Sequence, residues 1–319
     1  MIPLILALPA FIIGIIFLYK GSDVLVDGTS KTAAQLGISV IIISVILVAF
    51  GTSAPELSVS MGAAIGDHPD ISFGNIVGSC VANLLLVLGL SAIIRPIKIK
   101  KSILKREMPV TTMVTIILLF VAVLGLLDAY HLLGGILFIV LFVAFVVYFI
   151  HCGKKERVAK KYETGSLYKN ILFIILGIIG VVVGAWLLIE SSIEIAKFFG
   201  IPELIIAISM VAVGTSLPEL VVSAMAAYKD EHDIAVGNVL GSNVFNILLI
   251  LGAAALLIPL HANASIDHLL ILAAVTLFMF PILSTKNLIS RKKGVLLLIL
   301  YALYLLYAFW LHDVIHQTL

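Results

Sequence analysis

The chain contains a series of apolar runs, each long enough to cross the hydrocarbon core of a bilayer as a helix. Such a crossing needs about 20 consecutive apolar residues. The 319 residues are 62% hydrophobic and only 12% charged, which excludes a soluble globular domain and predicts an all-α polytopic protein embedded in the lipid bilayer. We identify ten candidate transmembrane helices: residues 3–19, 38–65, 71–94, 108–128, 131–150, 169–189, 201–227, 234–258, 268–284 and 294–311.

Lysine and arginine indicate the orientation of these helices. If the basic segment 151–168 is cytoplasmic, alternation through the spans places every lysine and arginine except Lys197 on the cytoplasmic side, as the positive-inside rule requires. Both termini are then external, and the compact chain fits the cytoplasmic membrane of a prokaryotic cell.

The first span lacks a basic leader and a cleavage site, so we expect it to be retained as a helix. The net charge of +2 comes from these loops and indicates no nucleic-acid partner, and no obligate protein partner is predicted.

Two segments repeat each other at a separation of 163 residues. Residues 51–90 contain GTSAPELSVS and GNIVGSCVANLLLVLG, residues 214–253 contain GTSLPELVVS and GNVLGSNVFNILLILG, and 23 of the 40 aligned positions are identical. Because each half holds five predicted spans, an odd number, the second copy enters the membrane with the opposite polarity. The sequence therefore predicts two inverted five-helix repeats, residues 1–150 and 169–319, joined by a cytoplasmic linker at 151–168.

Polar residues of the repeated motif share one face of the second span. Thr52, Ser53 and Ser60 lie three or four residues from Glu56, so a helix aligns them along one stripe. Pro55 offers no N–H to the carbonyl four residues earlier, so we expect the helix to kink there and to free carbonyl oxygens. The seventh span repeats the arrangement with Thr215, Ser216, Pro218, Glu219 and Ser223.

The third and eighth spans carry a second pair of polar stripes, because Ser79 and Asn83 are one helical turn apart, as are Ser242 and Asn246. Glycine pairs in a GxxxG pattern accompany both stripes and permit close helix packing. These pairs are Gly74 with Gly78 and Gly237 with Gly241. We expect the four spans to converge on one pocket that contains Glu56, Glu219, Asn83, Asn246, at least four hydroxyls and some backbone carbonyls.

An all-oxygen pocket with two carboxylates is typical of a hard cation site. Ca²⁺ takes about six to eight oxygen ligands, whereas soft metals favour Cys or His. The two cysteines, Cys80 and Cys152, do not form a cluster, and the eight histidines lie in predicted loops or near span ends. A zinc site or an intramembrane histidine relay is therefore disfavoured, and no resident cofactor is predicted.

The two carboxylates also suggest a mechanism. A carboxylate near the bilayer centre costs about 2.5–3.5 kcal/mol on insertion scales. One divalent cation, two monovalent cations or two protons would neutralise Glu56 and Glu219 together. With an empty, doubly negative pocket the protein should resist the change between its two access states, and with a filled pocket it can make that change. This difference is a physical basis for exchange, and it leaves open which ion is exchanged for the other.

The two motif pairs resemble the α-repeats of the Na⁺/Ca²⁺ exchangers in the cation/Ca²⁺ antiporter superfamily, and the ten-span inverted layout extends the resemblance over nearly the whole chain. It implies a Na⁺/Ca²⁺ antiporter rather than an enzyme, with Glu56 and Glu219 as principal Ca²⁺ ligands and with the first and sixth spans sliding against the other eight. It implies further Na⁺ or Ca²⁺ ligands from the side chains of Thr52, Ser53, Ser79, Asn83, Thr215, Ser216, Ser242 and Asn246, and from the carbonyls of Ala49 and Ala212.

Two features depart from parts of that superfamily. Asn246 stands where K⁺-dependent members carry Asp, so we expect independence of K⁺. The linker at 151–168 is too short for the regulatory domain of animal exchangers, so the sequence gives no support for allosteric Ca²⁺ regulation.

Three other functions are alternatives to Na⁺/Ca²⁺ exchange. H⁺/Ca²⁺ antiport could use the same two glutamates, although that branch typically shows a GN..E pattern in place of GTS.PE. An intramembrane hydrolase could use them as an acid/base pair, but the chain has no HExxH or GxGD motif. A passive cation channel would move neither ion against its gradient.

Overall fold

The computed structural model describes residues 4–155, 166–199 and 214–308, and this part of the chain is almost entirely helical. Its helices are α1 (Leu4–Leu36), α2 (Val40–Thr52), α3 (Ala54–Ile65), α4 (Pro69–Ile94), α5 (Ile103–Val123), α6 (His131–Lys155), α7 (Leu167–Phe198), α8 (Leu217–Tyr228), α9 (His232–Ala255), α10 (Ile266–Ser284) and α11 (Arg291–Leu306). Two short strands, β1 (Ile97–Lys98) and β2 (Leu288–Ile289), pair antiparallel and join the loops before α5 and α11.

The described helices confirm a polytopic membrane protein. Seven of them are long and apolar enough to span a bilayer, and α2 with α3 forms an eighth, broken span bent by 48°. The break lies at Ser53, two residues before Pro55, where the sequence predicted a kink. The expected spans 201–227 and 294–311 are described only in part, as α8 and α11, because residues 200–213 and 309–319 lie outside the described residues.

The boundaries of three predicted spans were wrong. The first and sixth spans were expected at 3–19 and 169–189, but α1 and α7 continue to Leu36 and Phe198. The fourth span was expected at 108–128, but α5 runs from Ile103 to Val123. The part of α1 beyond residue 19 carries charged side chains, and several of them find partners within the protein.

One such partner is Lys229, in the turn between α8 and α9. Its ammonium lies 2.5 Å from Oδ1 of Asp23 and 2.6 Å from Oδ1 of Asp27, both on α1. Burial by itself lowers the pKa of Lys229, but hydrogen bonds and charge from the two aspartates outweigh burial and raise that pKa above its ordinary value. This ion triad ties α1 to the α8–α9 turn.

Helices α1 and α7 pack against each other along a line of glycines spaced seven residues apart. A Cβ atom on Gly14 would lie 2.9 Å from the carbonyl oxygen of Gly184, and one on Gly177 would lie 2.7 Å from the backbone nitrogen of Leu25. Gly21 makes the equally close counterpart contact with α7. The backbones therefore touch directly, which gives van der Waals contact that larger side chains would prevent.

The remaining helices enclose α9, which is buried along nearly its whole length. Gly237 and Gly241 of α9 pack on α2, and a Cβ on Gly241 would lie 2.5 Å from the carbonyl oxygen of Val45. This contact agrees with the packing role expected for that GxxxG pair. For the other pair, Gly74 and Gly78, an added Cβ would meet no described atom within 4 Å. Under the 163-residue shift, the α2 residues that pack on Gly237 and Gly241 correspond to positions within 200–213, which lie outside the described residues.

A glycine substitution tests the direct contact between α1 and α7. We expect Gly177→Leu to destabilise the protein by about 1–3 kcal/mol, because the new side chain would overlap the backbone of Leu25. The matched control is Gly62→Leu, since no described atom lies within 4 Å of a Cβ at that position. Thermal unfolding in detergent should show a melting temperature several degrees lower for Gly177→Leu only. Equal melting temperatures for the two variants would contradict the close contact.

Candidate ion-binding site

Both glutamates of the repeated motif lie in the first turn of a helix that begins at a break. Glu56 follows Pro55 at the start of α3, and Glu219 follows Pro218 at the start of α8. The residues before the two helices have nearly the same conformation, with φ −81° and ψ 12° at Ser53 and φ −83° and ψ 7° at Ser216. Each carboxylate is therefore placed at the positive end of a helix dipole, which favours negative charge.

The two copies of the motif are joined by crossed hydrogen bonds. The hydroxyl of Ser53 donates to Oε1 of Glu219 at 2.8 Å, and the hydroxyl of Ser216 donates to Oε1 of Glu56 at 3.3 Å. Each serine thus serves the carboxylate of the other copy. All four side chains are at least 97% buried, so the two motifs form one interlocked centre rather than two separate ones.

Two asparagines connect this centre to α4 and α9. Asn75 donates to Oγ of Ser60 at 2.9 Å and to the carbonyl of Glu56 at 3.4 Å, and it accepts a hydrogen bond from the hydroxyl of Thr215 at 3.4 Å. Asn238 makes the corresponding bonds to Ser223 at 3.1 Å and to the carbonyl of Glu219 at 3.4 Å.

The hydroxyl of Thr52 donates to Oδ1 of Asn238 at 3.0 Å, as the hydroxyl of Thr215 does to Asn75. Every contact made by Asn238 therefore has a counterpart at Asn75, 163 residues earlier. Sequence reasoning did not select either asparagine, although both belong to the repeated GN dipeptide that precedes the polar stripes.

The remaining hydroxyls lie at the same centre. The hydroxyl oxygens of Ser79 and Thr215 are 3.3 Å apart, and Ser242 donates to Oε1 of Glu219 at 3.2 Å. Asn83 begins a π-helical turn in α4, and Asn246 lies in the π-helical turn of α9. Turns of this kind interrupt regular helix register and are frequent at functional sites.

Several buried oxygens at this centre have no hydrogen-bond partner among the described residues. They are Oε2 of Glu56, Oε2 of Glu219, Oδ1 of Asn83 and Oδ1 of Asn246. Neither glutamate forms an ion pair with a described lysine, arginine or histidine. Leaving such groups unsatisfied costs about 1–3 kcal/mol each, and more for a charged group. This donor set fits a hard cation, which would supply the missing partner to all four oxygens.

The described residues offer no alternative built from softer ligands. They contain no group of three or more His, Cys, Asp or Glu side chains arranged to hold a metal ion. Of the residues that the resemblance implied as ligands, Ala212 lies outside the described residues, and the carbonyl of Ala49 accepts the N–H of Ser53 at 3.0 Å. The others all lie in the segments that surround the two glutamates.

A cavity of about 540 Å³ lies beside this centre, and neither glutamate lines it. Its wall includes Pro55 and Asn75 from the first copy, Thr215 from the second, and Trp186 of α7. The cavity lining is mostly apolar, so polar atoms are concentrated where the cavity meets Thr215 and Asn75.

Comparison with known proteins identifies relatives that cover nearly the whole chain. The sequence model of the sodium/calcium exchanger protein family matches residues 6–151 and 169–310. The sodium/calcium exchanger MaX1 of Methanosarcina acetivorans is 34% identical over 94% of this chain and 97% of its own length. The putative antiporter CaxA of Alkalimonas amylolytica is 34% identical over 91% of this chain and 94% of its own length. A structure of the sodium-calcium exchanger NCX_Mj, soaked with Na⁺ and Sr²⁺, superimposes with a TM-score of 0.82 at 34% identity, covering 94% of this chain and 97% of that one.

Removal of the Asn238 amide tests the hydrogen-bond network. We expect Asn238→Ala to lower the melting temperature in ion-free detergent solution by several degrees, because Oγ of Ser223 and the carbonyl of Glu219 would lose their donor at about 1–3 kcal/mol each. Ser58→Ala is the matched control, since its exposed hydroxyl donates only to the carbonyl of Ala54 in its own helix. A melting temperature unchanged by Asn238→Ala would show that these bonds do not stabilise the fold.

Proposed function

The chain belongs to the sodium/calcium exchanger family, and from this membership and the geometry of the site we propose that it exchanges Na⁺ for Ca²⁺ by alternating access. Membership establishes the broader class: the protein is a membrane transporter, not an enzyme, and its class of activity is cation/Ca²⁺ exchange. The proposal adds the identity of the coupling ion and the residues that bind the ions.

One observation carries the proposal. Glu56 and Glu219 each keep one buried carboxylate oxygen without a partner, Asn83 and Asn246 each keep a buried amide oxygen without one, and no described basic side chain neutralises the two acids. One Ca²⁺ would balance both charges, and so would two Na⁺. The empty pocket would carry two buried negative charges, which opposes a change of access state without cargo.

We assign ion-ligand roles to the residues expected from the sequence. Glu56 and Glu219 are the principal Ca²⁺ ligands, and Asn83 and Asn246 add amide oxygens. Further Na⁺ or Ca²⁺ ligands come from the hydroxyls and carbonyls of Thr52, Ser53, Ser79, Thr215, Ser216, Ser242, Ala49 and Ala212. Support comes from the convergence of the described members of this set on one buried centre.

The transport cycle requires two inverted repeats of five helices, with residues 1–150 and 169–319 as the halves. This organisation is supported by hydrogen bonds that recur at a separation of 163 residues and by the two separate matches of the family model, at 6–151 and 169–310. Ten spans in this arrangement place the linker 151–168 in the cytoplasm and both termini outside, in the cytoplasmic membrane.

Transport into proteoliposomes tests the function directly. Vesicles loaded with Na⁺ and diluted into Na⁺-free buffer at equal pH should take up ⁴⁵Ca²⁺, and uptake should require the internal Na⁺. Glu56→Gln and Glu219→Gln should each reduce uptake at least a hundredfold, because a neutral amide cannot balance the charge of Ca²⁺. Glu231→Gln, in the turn before α9, is the matched control and should transport normally.

Two other results would assign a different activity. Uptake that ignores Na⁺ but follows an imposed pH gradient would identify H⁺/Ca²⁺ antiport through the same glutamates. Flux that only runs down the Ca²⁺ gradient, with no coupling to either ion, would identify a passive channel.

Cys152 offers a test of the orientation without any engineered residue. It is partly exposed near the end of α6, whereas Cys80 is fully buried. A membrane-impermeant maleimide should therefore label the protein in inside-out vesicles and leave it unlabelled in right-side-out vesicles. Cys152→Ser should remain unlabelled in both. Labelling from the outer face would reverse the proposed orientation.

A further inference from the structure

The repeat-related positions 80 and 243 hold different residues within otherwise matching surroundings. Position 80 is Cys and position 243 is Asn, and both side chains are fully buried beside the polar stripes of α4 and α9. Asn243 donates from Nδ2 to the carbonyl of Cys80 at 3.1 Å, and its Oδ1 accepts from Nδ2 of Asn83 at 3.1 Å. In the reverse direction, the thiol of Cys80 lies 3.9 Å from the carbonyl of Asn243.

These contacts fix which way the Asn83 amide points. A backbone carbonyl can only accept, so the atom of Asn243 that faces Cys80 must be Nδ2. The atom that faces Asn83 is then Oδ1, which requires Asn83 to present its own Nδ2 in return. The Asn83 oxygen is thereby directed away from Asn243, and it is one of the buried oxygens that has no partner.

The other half-site lacks this device. By the repeat, the residue that would orient Asn246 is Cys80, and a thiol is only a weak donor and acceptor. The Asn246 amide interacts with the Cys80 thiol, but neither its Oδ1 nor its Nδ2 makes a hydrogen bond of ordinary geometry with a described residue. A thiol therefore holds the Asn246 amide less firmly than Asn243 holds Asn83, and turning the amide so that nitrogen replaces oxygen at the centre costs little.

We propose that Asn243 is a positioning residue that holds Asn83 as an oxygen ligand, and that the Asn243/Cys80 difference makes the two half-sites unequal in cation affinity. This inference rests on the proposed function, because it assumes that cations bind between Asn83, Asn246 and the glutamates. Outer-shell hydrogen bonds of this kind change metal affinity by about 10–100-fold when they are removed.

Exchange of the two residues supplies the test. Asn243→Cys should raise the Kd for Ca²⁺ about tenfold, measured by equilibrium binding of ⁴⁵Ca²⁺ to the full chain in detergent, because Asn83 would no longer be held. The KM for Ca²⁺ in proteoliposomes should rise with it, while the maximal rate changes less than twofold. Cys80→Asn should lower the Kd several-fold, because Asn246 would gain the orienting amide.

The double exchange, Cys80→Asn with Asn243→Cys, separates positioning from mere stability. It moves the orienting amide from one half-site to the other, so its Kd should return to within about threefold of the original. If position 243 only supports the fold, the double variant will bind as weakly as Asn243→Cys or more weakly, and the inference is overturned. Should Asn243→Cys fail to fold, Cys80→Asn alone decides, and an unchanged or higher Kd overturns the inference.

The original chain, measured first, distinguishes this inference from the proposed function. If it neither binds Ca²⁺ nor exchanges it for Na⁺, the proposed function fails, and the positioning role fails with it. If it binds and exchanges Ca²⁺ while Asn243→Cys and Cys80→Asn leave the Kd unchanged, only the inference fails.

Discussion

The burial of two carboxylates without a basic partner is the constraint on which the rest of the structure depends. Moving an ionised carboxylate out of water costs several kcal/mol even after the surroundings relax, and Glu56 and Glu219 are both fully buried. The fold reduces this cost by three means: each acid lies at a helix N-terminus, each accepts a hydrogen bond from a serine of the other copy, and asparagines satisfy the nearby backbone. None of these contributions uses the second oxygen of either acid. A lysine at the same place would neutralise the acids permanently and leave no affinity for a cation, so the incomplete compensation is what the proposed cation binding requires.

The repeat explains how one chain builds a centre from two halves, and its imperfections explain why the halves are not equivalent. The glycines of α1 and α7 exchange places under the 163-residue shift, since Gly14 corresponds to Gly177 and Gly21 to Gly184, and the contacts are preserved. The ion triad of Lys229, Asp23 and Asp27 has no such counterpart, because the corresponding positions hold Gly66, Trp186 and Glu190. A perfectly repeated structure would give two access states of equal free energy. Each unrepeated contact shifts that balance.

The sequence predicted the helical class, the broken second span and the convergence of the polar stripes, because a carboxylate inside an apolar run is costly and its duplication in register leaves few explanations. It failed at the ends of α1 and α7, because both helices continue well past the predicted ends at residues 19 and 189. The additional turns of α1 carry Asp23 and Asp27. Their partner Lys229 is about 200 residues away along the chain, and no local pattern shows that pairing. The roles of Asn75, Asn238 and Asn243 were missed for a related reason. An asparagine in an apolar helix is conspicuous, but the donors and acceptors that surround it are known only once the helices are packed.

The crossed serine bonds also determine how an ion at this centre would affect the helices. Ser53 precedes α3 but holds the acid of α8, and Ser216 precedes α8 but holds the acid of α3. A cation bound to both free carboxylate oxygens would therefore draw together the first turns of α3 and α8, which the serine bonds already link. The repulsion between the two acids would be replaced by the attraction of each acid to the shared cation. Loss of the cation would restore the repulsion between the acids at the two helix breaks. In the proposed function, the residues that would bind the ion thus lie at the helix breaks, so occupancy and helix geometry would be coupled through the same few residues.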